Sequence, residues 1–309
     1  MDTDKKKYRD NFKEDYVEVN GIRLHYVSVG EGKLIIFLHG FPEFWAEWEN
    51  QLIEFGKDHQ ATAIDLPGYN LSSKPTELAR YSLGNIVEDV NALVRHQGHK
   101  RFILVGHDWG GVVAWFFAIK HPDLLDKLII INSPHPAIFA REMLNSAAQR
   151  DASQYMLLFR DPAAEKILSD NNYAFLMQLL SEGENQWKMS DMERKSYIEA
   201  WSQPGALTGG LNYYRASQVY PPSSAKEENS LREITKLPHD IFAVKVPTLL
   251  IWGEQDIAFS KENLTGLDEY VQDLTIVRIP DGSHWVIKQQ PERVNSLIRE
   301  FIESRNNKA

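Results

Sequence analysis

Short, continuous apolar runs recur near both ends of the chain and predict the strands of a buried sheet. The clearest runs cover residues 34–38, 102–105, 128–131 and 248–252, and weaker ones cover residues 61–64 and 275–279. Strands that are covered on both faces of a parallel sheet have this continuous pattern. Residues 16–30 instead alternate around Asn20 and Gly21, which predicts a β-hairpin.

Helical patterns lie between these runs. Residues 85–97 and 291–303 repeat apolar side chains at helical spacing, and residues 111–120 are apolar almost throughout, as in a helix packed under a sheet. Strands that alternate with helices predict an α/β fold with a mostly parallel sheet flanked by helices.

Residues 133–240 break this alternation. They contain helix-like stretches rich in Met, Leu, Tyr and Trp at 153–160, 173–180 and 192–201, without a strand pattern. We therefore expect a helical cap at residues 133–240, inserted into a core formed by residues 15–132 and 241–309. Residues 1–14 are expected to form a mobile N-terminal extension. Residues 220–229 are polar and proline-rich and are expected to form a surface loop.

Composition narrows the classes of protein without identifying a function. The 309 residues include no cysteine, which excludes disulfides, thiolate metal sites and a cysteine nucleophile. The formal net charge of -9 disfavours nucleic-acid and membrane partners, because anionic surfaces bind basic patches. The first residues lack the apolar stretch of a signal peptide, and no apolar run reaches membrane-span length. We expect a cytoplasmic protein, monomeric or homodimeric.

Candidate chemistry centres on residues 106–111, Gly-His-Asp-Trp-Gly-Gly, which follow a predicted strand and precede a predicted helix. In a nucleophile elbow, Gly-x-Ser-x-Gly, the central residue stands in a strained turn above the sheet. Asp108 occupies that position here. A carboxylate is ionised near neutral pH and suits attack on a saturated carbon, which forms an alkyl ester that water can hydrolyse. Asp108 therefore favours an epoxide or alkyl halide substrate, unless it serves only as a helix cap.

A histidine and an acid follow in the chain order that this arrangement uses. His284 lies between the last predicted strand and the final helix, where it would be the general base that activates water. Asp256 follows the strand at 248–252 and would orient the imidazole, with Glu254 as the competing carboxylate. Asn132, which follows the preceding strand, cannot act as a charged relay.

The loop after the first core strand predicts stabilisation of an oxyanion. Residues 39–42, His-Gly-Phe-Pro, follow the strand at 34–38. The backbone N–H groups of Phe41 and Trp109 would form the oxyanion hole. The side chains of Phe44, Trp45 and Trp109 are expected to line an apolar substrate pocket nearby.

These motifs resemble those of the epoxide hydrolases of the α/β-hydrolase superfamily, and the similarity runs from about Tyr16 to the last helix. Residues 39–45, HGFPEFW, resemble the oxyanion signature of that family, and the elbow resembles its Asp-Trp nucleophile motif. In residues 211–215, LNYYR, the second aromatic residue matches a ring-opening tyrosine of the family, which is Tyr214 here, with Tyr213 as the adjacent alternative. Residues 155–162, YMLLFRDP, resemble the segment of the other catalytic tyrosine, which is Tyr155 here.

The resemblance implies an enzyme that converts a small apolar epoxide and water into a vicinal diol without a cofactor or metal. Asp108 would attack a ring carbon while Tyr155 and Tyr214 donate hydrogen bonds to the departing oxygen and protonate it. Water activated by His284, which Asp256 orients, would then hydrolyse the alkyl ester.

Two other functions remain open at this point. A haloalkane or haloacid dehalogenase would use the same Asp108 but needs N–H donors for the leaving halide. Trp109 supplies one donor, whereas Phe41 stands where haloalkane relatives have an asparagine. Trp187 and Trp201 of the cap are then the remaining candidates for the second donor. A non-catalytic ligand-binding member of the fold would lack a catalytic residue, and none is missing.

Overall fold

The core is a single sheet in the computed structural model, which describes residues 11–181 and 187–304. Eight strands lie in the order β1-β2-β4-β3-β5-β6-β7-β8. They are β1 (Lys13–Val19), β2 (Ile22–Val29), β3 (Leu34–Leu38), β4 (Gln60–Ile64), β5 (Phe102–His107), β6 (Leu125–Ile131), β7 (Thr248–Gln255) and β8 (Leu274–Ser283). The β1–β2 and β2–β4 pairs are antiparallel and the other pairs are parallel. The predicted mostly parallel α/β sheet is confirmed.

The first two strands form the predicted hairpin. Asn20 and Gly21 both have positive φ angles, 49° and 81°, as a two-residue turn between twisted strands requires. β1 begins at Lys13, so the extension predicted for residues 1–14 ends too late, and residues 1–10 lie outside the described part of the chain. The apolar pattern does not mark the start of β1, because Lys13 and Glu14 are charged and exposed on an edge strand, where charges are common.

Helices cover both faces of the sheet and connect its strands. They are α1 (Glu49–Phe55), α2 (Leu83–His96), α3 (Asp108–Lys120), α4 (Pro136–Asn145), α5 (Ala147–Ala152), α6 (Tyr155–Arg160), α7 (Ala164–Leu180), α8 (Asp191–Ser202), α9 (Ala206–Ala216), α10 (Ala225–Thr235), α11 (Val286–Gln289) and α12 (Pro291–Glu303). Alternate residues of β3 belong to two different apolar clusters, with α2 and α3 on one face and α1 and α12 on the other. Burial on both faces explains the continuous apolar runs.

The residues described between β6 and β7 form helices α4 to α10 and no strand, so the predicted helical cap is inserted between two core strands. The expected surface loop at 220–229 is wrong from Ala225 onward, where α10 begins. The Ser224 hydroxyl accepts a hydrogen bond from the backbone N–H of Glu227 at 3.3 Å, which caps the helix. This serine signal outweighs the polar composition and the preceding prolines.

The carboxyl ends of the parallel strands meet at one edge of the sheet. The loops that follow β3, β5, β7 and β8 therefore lie close together there, as in other open α/β sheets. Cap helices α6, α7 and α9 cover this edge, because their side chains share a cavity with residues of those loops. None of the described helices has the length and apolar character needed to cross a membrane.

Candidate active site

Asp108 stands in a strained turn between β5 and α3. Its φ angle is +49°, in the left-handed region that residues other than glycine rarely adopt. The turn is possible because glycines stand two residues before and two residues after Asp108. A Cβ at Gly110 would lie 2.1 Å from the carbonyl oxygen of Leu38, and one at Gly106 would lie 2.4 Å from that of Gly110. The turn directs the Asp108 carboxylate to the sheet edge, as the elbow motif predicted.

Two backbone N–H groups face the Asp108 carboxylate. The N–H of Phe41 donates to Oδ1 at 2.8 Å, and the N–H of Trp109 also donates to the carboxylate. Burial raises the pKa of Asp108, whereas the positive charge of His284 and these N–H groups oppose that rise. The N–H pair therefore favours negative charge on this carboxyl group, as an oxyanion hole does.

His284 lies between two carboxylates. Its Nδ1 is 2.9 Å from Oδ2 of Asp256, and its Nε2 is 3.8 Å from Oδ2 of Asp108. Burial lowers the pKa of His284, but the charge and hydrogen bond of Asp256, followed by the charge of Asp108, outweigh burial and raise the pKa to about 9. The imidazole is therefore protonated at neutral pH, and its positive charge favours the ionised form of Asp108.

Asp256 is fixed by hydrogen bonds on both oxygens. Oδ2 contacts Nδ1 of His284 at 2.9 Å and accepts from Nδ2 of Asn132 at 2.6 Å. Oδ1 accepts from the backbone N–H groups of Ala258 and Phe259 at 2.7 and 3.0 Å. Although burial raises the pKa of Asp256, the charge and hydrogen bond of His284 and the Asn132 amide hold it below its ordinary value. A carboxylate held in this way orients the histidine ring and keeps its negative charge.

Asn132 supports this carboxylate, a role that the sequence analysis missed. It follows β6 with a φ angle of +40°, and its Oδ1 accepts from the N–H of Gly253 at 2.9 Å. The sequence signal is its position directly after a core strand, where an uncharged amide cannot be the relay but can hold one in place. Glu254, the competing carboxylate, forms an ion pair with Arg278 instead.

A cavity of about 280 Å³ opens above Asp108 and His284. From the cap, Tyr155 and Tyr214 line this cavity. The remaining lining is apolar and includes Phe41, Phe159, Phe175, Leu179, Ile257 and Trp285. A concave apolar site with a few convergent polar groups is typical of a small-molecule site.

Tyr155 and Tyr214 approach each other from different cap helices. Tyr155 begins α6 and Tyr214 lies near the end of α9, with ring centroids 6.1 Å apart and planes at 83°. Burial, followed by the negative charge of Asp108, raises the pKa of both phenols well above the ordinary value. Both hydroxyls are therefore protonated at neutral pH and available as donors. The hydroxyl of Tyr213, the adjacent alternative, instead donates to the carbonyl of Pro67 at 3.0 Å.

Phe44 and Trp45, which the sequence leads us to expect in the substrate pocket, do not line this cavity. Both line a separate surface depression with Tyr197, and the ring of Phe44 packs edge-on against that of Tyr197 at 5.1 Å. The chain turns away after Pro42 because the N–H of Trp45 donates to Asp65 at 2.9 Å. Aromatic residues that follow Phe41 by only three or four positions can therefore face another surface.

Trp109 is also turned away from the cavity lining. Its indole ring packs edge-on against Tyr214 at 5.2 Å and lines a second apolar hollow beneath the cap. The backbone N–H of Trp109 thus faces Asp108, while its side chain packs against Tyr214 outside the cavity.

A buried polar cluster that the sequence analysis missed lies behind His284. Nε2 of His107 donates to the backbone carbonyl of His284 at 2.9 Å, and its Nδ1 is 2.6 Å from a carboxylate oxygen of Glu47. Burial, followed by the charge of Glu47, raises the pKa of Glu43 to about 8, and Tyr197 donates to Glu43 at 2.5 Å. The sequence signal for this cluster is that Glu43 and Glu47 follow closely after the buried strand β3.

Comparison with known proteins gives similarity over nearly the whole chain. A family model described as alpha/beta hydrolase fold matches residues 33–291. Epoxide hydrolase 3 of Xenopus tropicalis is 36% identical over 92% of this chain and 75% of its own length. Epoxide hydrolase 4 of Homo sapiens is also 36% identical, over 95% and 80% respectively. A Bacillus megaterium epoxide hydrolase, solved in complex with an inhibitor, superposes with a TM-score of 0.86 at 34% identity and covers 94% of this chain and 100% of its own.

Proposed function

The chain belongs to the epoxide hydrolases of the α/β-hydrolase fold, and we propose that it converts a small apolar epoxide and water into a vicinal diol through an ester on Asp108. The proposal rests above all on one observation. Oδ2 of Asp108 lies 3.8 Å from Nε2 of His284 in a cavity that Tyr155 and Tyr214 line from the cap. This arrangement supports the proposal that a nucleophile, a base and two acids act on one substrate in an apolar cavity.

Ring opening is the first step. Oδ2 of Asp108 attacks a ring carbon, the carbon–oxygen bond breaks, and its electron pair stays on the departing oxygen. Tyr155 and Tyr214 donate hydrogen bonds to that oxygen, which strengthen as negative charge develops, and one phenol transfers its proton. The N–H of Phe41 donates to Oδ1 and that of Trp109 also donates to the carboxylate, which leaves Oδ2, 3.8 Å from Nε2 of His284, as the attacking oxygen.

Formation of the ester changes the charges around His284. The negative charge of Asp108 is lost and a phenolate appears, so the imidazolium transfers its proton to the phenolate and becomes the neutral base. It then removes a proton from water, whose oxygen attacks the ester carbonyl carbon. The Phe41 and Trp109 N–H groups stabilise the oxyanion. Collapse releases the second diol oxygen, which takes the proton left on the new carboxyl group, and restores Asp108 as a carboxylate.

The dehalogenase alternative lacks a second halide donor among the cap indoles. Nε1 of Trp201 donates to the carbonyl of Pro42 at 2.6 Å. The ring of Trp187 packs on Tyr197 at 5.8 Å. Neither residue lines the cavity above Asp108. The two phenols are suited to an alkoxide leaving group, which must gain a proton, whereas a halide leaves as a stable anion.

A paired substrate assay tests the reaction class. Wild-type protein and Asp108→Ala are incubated with a styrene-oxide-type epoxide and, separately, with a 1-haloalkane. We expect diol from the epoxide with the wild type and none with the variant. Halide release without diol formation would reject the proposal.

A trapping experiment tests the intermediate. His284→Gln keeps the nucleophile and lacks the base, so epoxide should add its own mass to the intact protein and hydrolysis should then stall. His99→Gln is the matched control, because His99 contacts Gln60 at 2.9 Å outside the site and should turn over normally. An absence of adduct in His284→Gln would argue against nucleophilic catalysis.

A further inference from the structure

The backbone of α9 rests directly on the loop that follows β4, which we call the β4 loop (residues 65–73). Gly209 of α9 faces Gly68 of that loop, and a Cβ at Gly209 would lie 2.3 Å from the carbonyl oxygen of Gly68 and 2.5 Å from its Cα. No other residue type fits at Gly209 without a shift of the helix. Cap and core are therefore in close backbone contact one helical turn before the two tyrosines of α9.

Tyr213 adds a directional contact to this interface. It lies four residues after Gly209 and hence on the same helical face. Its side chain is buried, and its hydroxyl donates to the carbonyl of Pro67 at 3.0 Å. The ring packs against those of Tyr69 and Trp109, with centroids 5.3 and 5.7 Å away. The hydrogen bond fixes the rotation of α9 about its axis, which the contact between glycines alone does not.

The β4 loop is a rigid support for this contact. Oδ2 of Asp65 accepts from Asn70 at 2.8 Å and contacts Nδ1 of His25 on β2 at 2.7 Å. The N–H of Gly68 donates to the carbonyl of Ser73 at 2.8 Å. Since the loop is tied to itself and to the sheet, a helix docked on it takes its position from the core.

We propose that Tyr213 is a positioning residue for ring opening, whose hydrogen bond to Pro67 fixes α9 so that the Tyr214 hydroxyl stands above Asp108. The inference rests on the proposed function, because it assumes that Tyr214 assists ring opening. Tyr214 follows Tyr213 by one residue, about 100° around the helix. The outer surface of a helix with its side chains lies about 5–6 Å from the helix axis, so a rotation of only ~10° displaces a phenol oxygen there by about 1 Å. Such a displacement breaks a hydrogen bond to the epoxide oxygen.

The test is Tyr213→Phe, which keeps the ring and removes the hydroxyl. Single-turnover stopped flow, with the fluorescence of Trp109 and Trp285 beside the reacting groups as signal, separates ester formation from ester hydrolysis. We expect ester formation to slow by about ten- to a hundredfold, the usual cost of a displacement near 1 Å. Ester hydrolysis should change less than about twofold, because its residues, His284 and Asp256, lie on core loops. Both are rate constants of folded molecules, so partial unfolding lowers only the amplitude.

Tyr81→Phe is the matched control. Its hydroxyl also donates to a backbone carbonyl, that of Pro75 at 2.9 Å, and its ring packs against Tyr213 at 5.7 Å. Both rate constants should stay near those of the wild type. A fall in ester formation as large as that of Tyr213→Phe would show a general effect of loosening this aromatic group and would overturn the inference.

The double variant Tyr213→Phe/Tyr214→Phe isolates the coupling. If Tyr213 acts through Tyr214, removing its hydroxyl should cost nothing further once the Tyr214 hydroxyl is absent. Additive losses, or an unchanged rate of ester formation in Tyr213→Phe, would overturn the inference while leaving epoxide hydrolysis intact. Absence of any ester in the wild type would instead reject the proposed function itself.

Discussion

Asparagine in place of Asp108 should lower the pKa of His284 while almost preserving the size of the side chain. This variant imitates the charge state of the ester intermediate, because the side chain at position 108 is an uncharged amide in the variant and an uncharged ester in the intermediate. The pKa of His284 in the variant therefore reports whether the proposed base can be deprotonated after ring opening. In the wild type the same histidine has a pKa of about 9, which is unsuitable for a base at neutral pH.

The size of the effect follows from the geometry. A rise from the ordinary value of 6.5 to about 9 corresponds to roughly 3 kcal/mol in favour of the protonated ring, at 1.36 kcal/mol per pKa unit. Asp256 contributes most of this as the nearer, hydrogen-bonded carboxylate, at 2.9 Å against 3.8 Å for Asp108. Two unit charges at 3.8 Å interact by about 1 kcal/mol in bulk water and about 4 kcal/mol at an effective dielectric constant of 20. We expect Asp108→Asn to lower the pKa of His284 by about one to two units.

The measurement is an NMR titration of imidazole resonances in histidine-labelled protein between pH 5 and 10, with His284→Gln identifying the His284 signal. Glu254→Gln is the matched control, because it also changes a carboxylate to an amide near the end of β7 but removes the partner of Arg278 rather than a neighbour of His284. The control should leave the His284 titration unchanged. An equal pKa in Asp108→Asn and the wild type would refute the reasoning, as would a wild-type pKa near 6.5.

Three further outcomes follow from the same contacts. Since folding raises the pKa of His284 from 6.5 to about 9, its contribution to stability is fully present below pH 6.5 and is lost as the pH rises through 9. Urea unfolding should show a fall of about 3 kcal/mol that is absent in His284→Gln. Asn132→Ala should slow ester hydrolysis by about ten- to a hundredfold in single-turnover assays and leave ring opening nearly unchanged, because it removes the amide that donates to Asp256. Arg160→Met should lower the free energy of unfolding by about 1–2 kcal/mol and slow ring opening, because Arg160 on α6 donates to the carbonyls of Tyr214 and Ser217 at the end of α9. Chemical unfolding measures the effect of Arg160→Met on stability, and the rate of ester formation measures its effect on ring opening. An unchanged rate of ester formation would contradict the expected effect on ring opening.

The core strands were predictable because burial on both faces leaves a local apolar run, and the elbow because a strained turn demands glycines beside Asp108. The positions of His284 and Asp256 followed from chain order, since parallel strands bring their carboxyl ends together. These properties are written in short stretches of sequence. The functional roles assigned to these residues remain predictions that the proposed experiments address.

Other features depend on contacts between distant residues. The direction of the chain after Pro42 is set by a hydrogen bond from the N–H of Trp45 to Asp65. The apolar character of Phe44 and Trp45 predicted that they line the cavity above Asp108, whereas the structure places them outside its lining. Tyr213 and Tyr214 have the same chemistry, and only the docking of α9 on the β4 loop decides which hydroxyl faces the cavity. No local pattern contains that information.

The hydrogen bond from Phe41 to Oδ1 of Asp108 distinguishes the two carboxylate oxygens by whether they are exchanged during catalysis. Under the proposed mechanism, the oxygen held by Phe41 is retained for the life of the protein, whereas the other leaves in each diol and is replaced by an oxygen atom of water. The water atom consumed in one cycle therefore appears in the product of the next. After transfer to water enriched in oxygen-18, each protein molecule should release one unlabelled diol before every later diol carries the isotope.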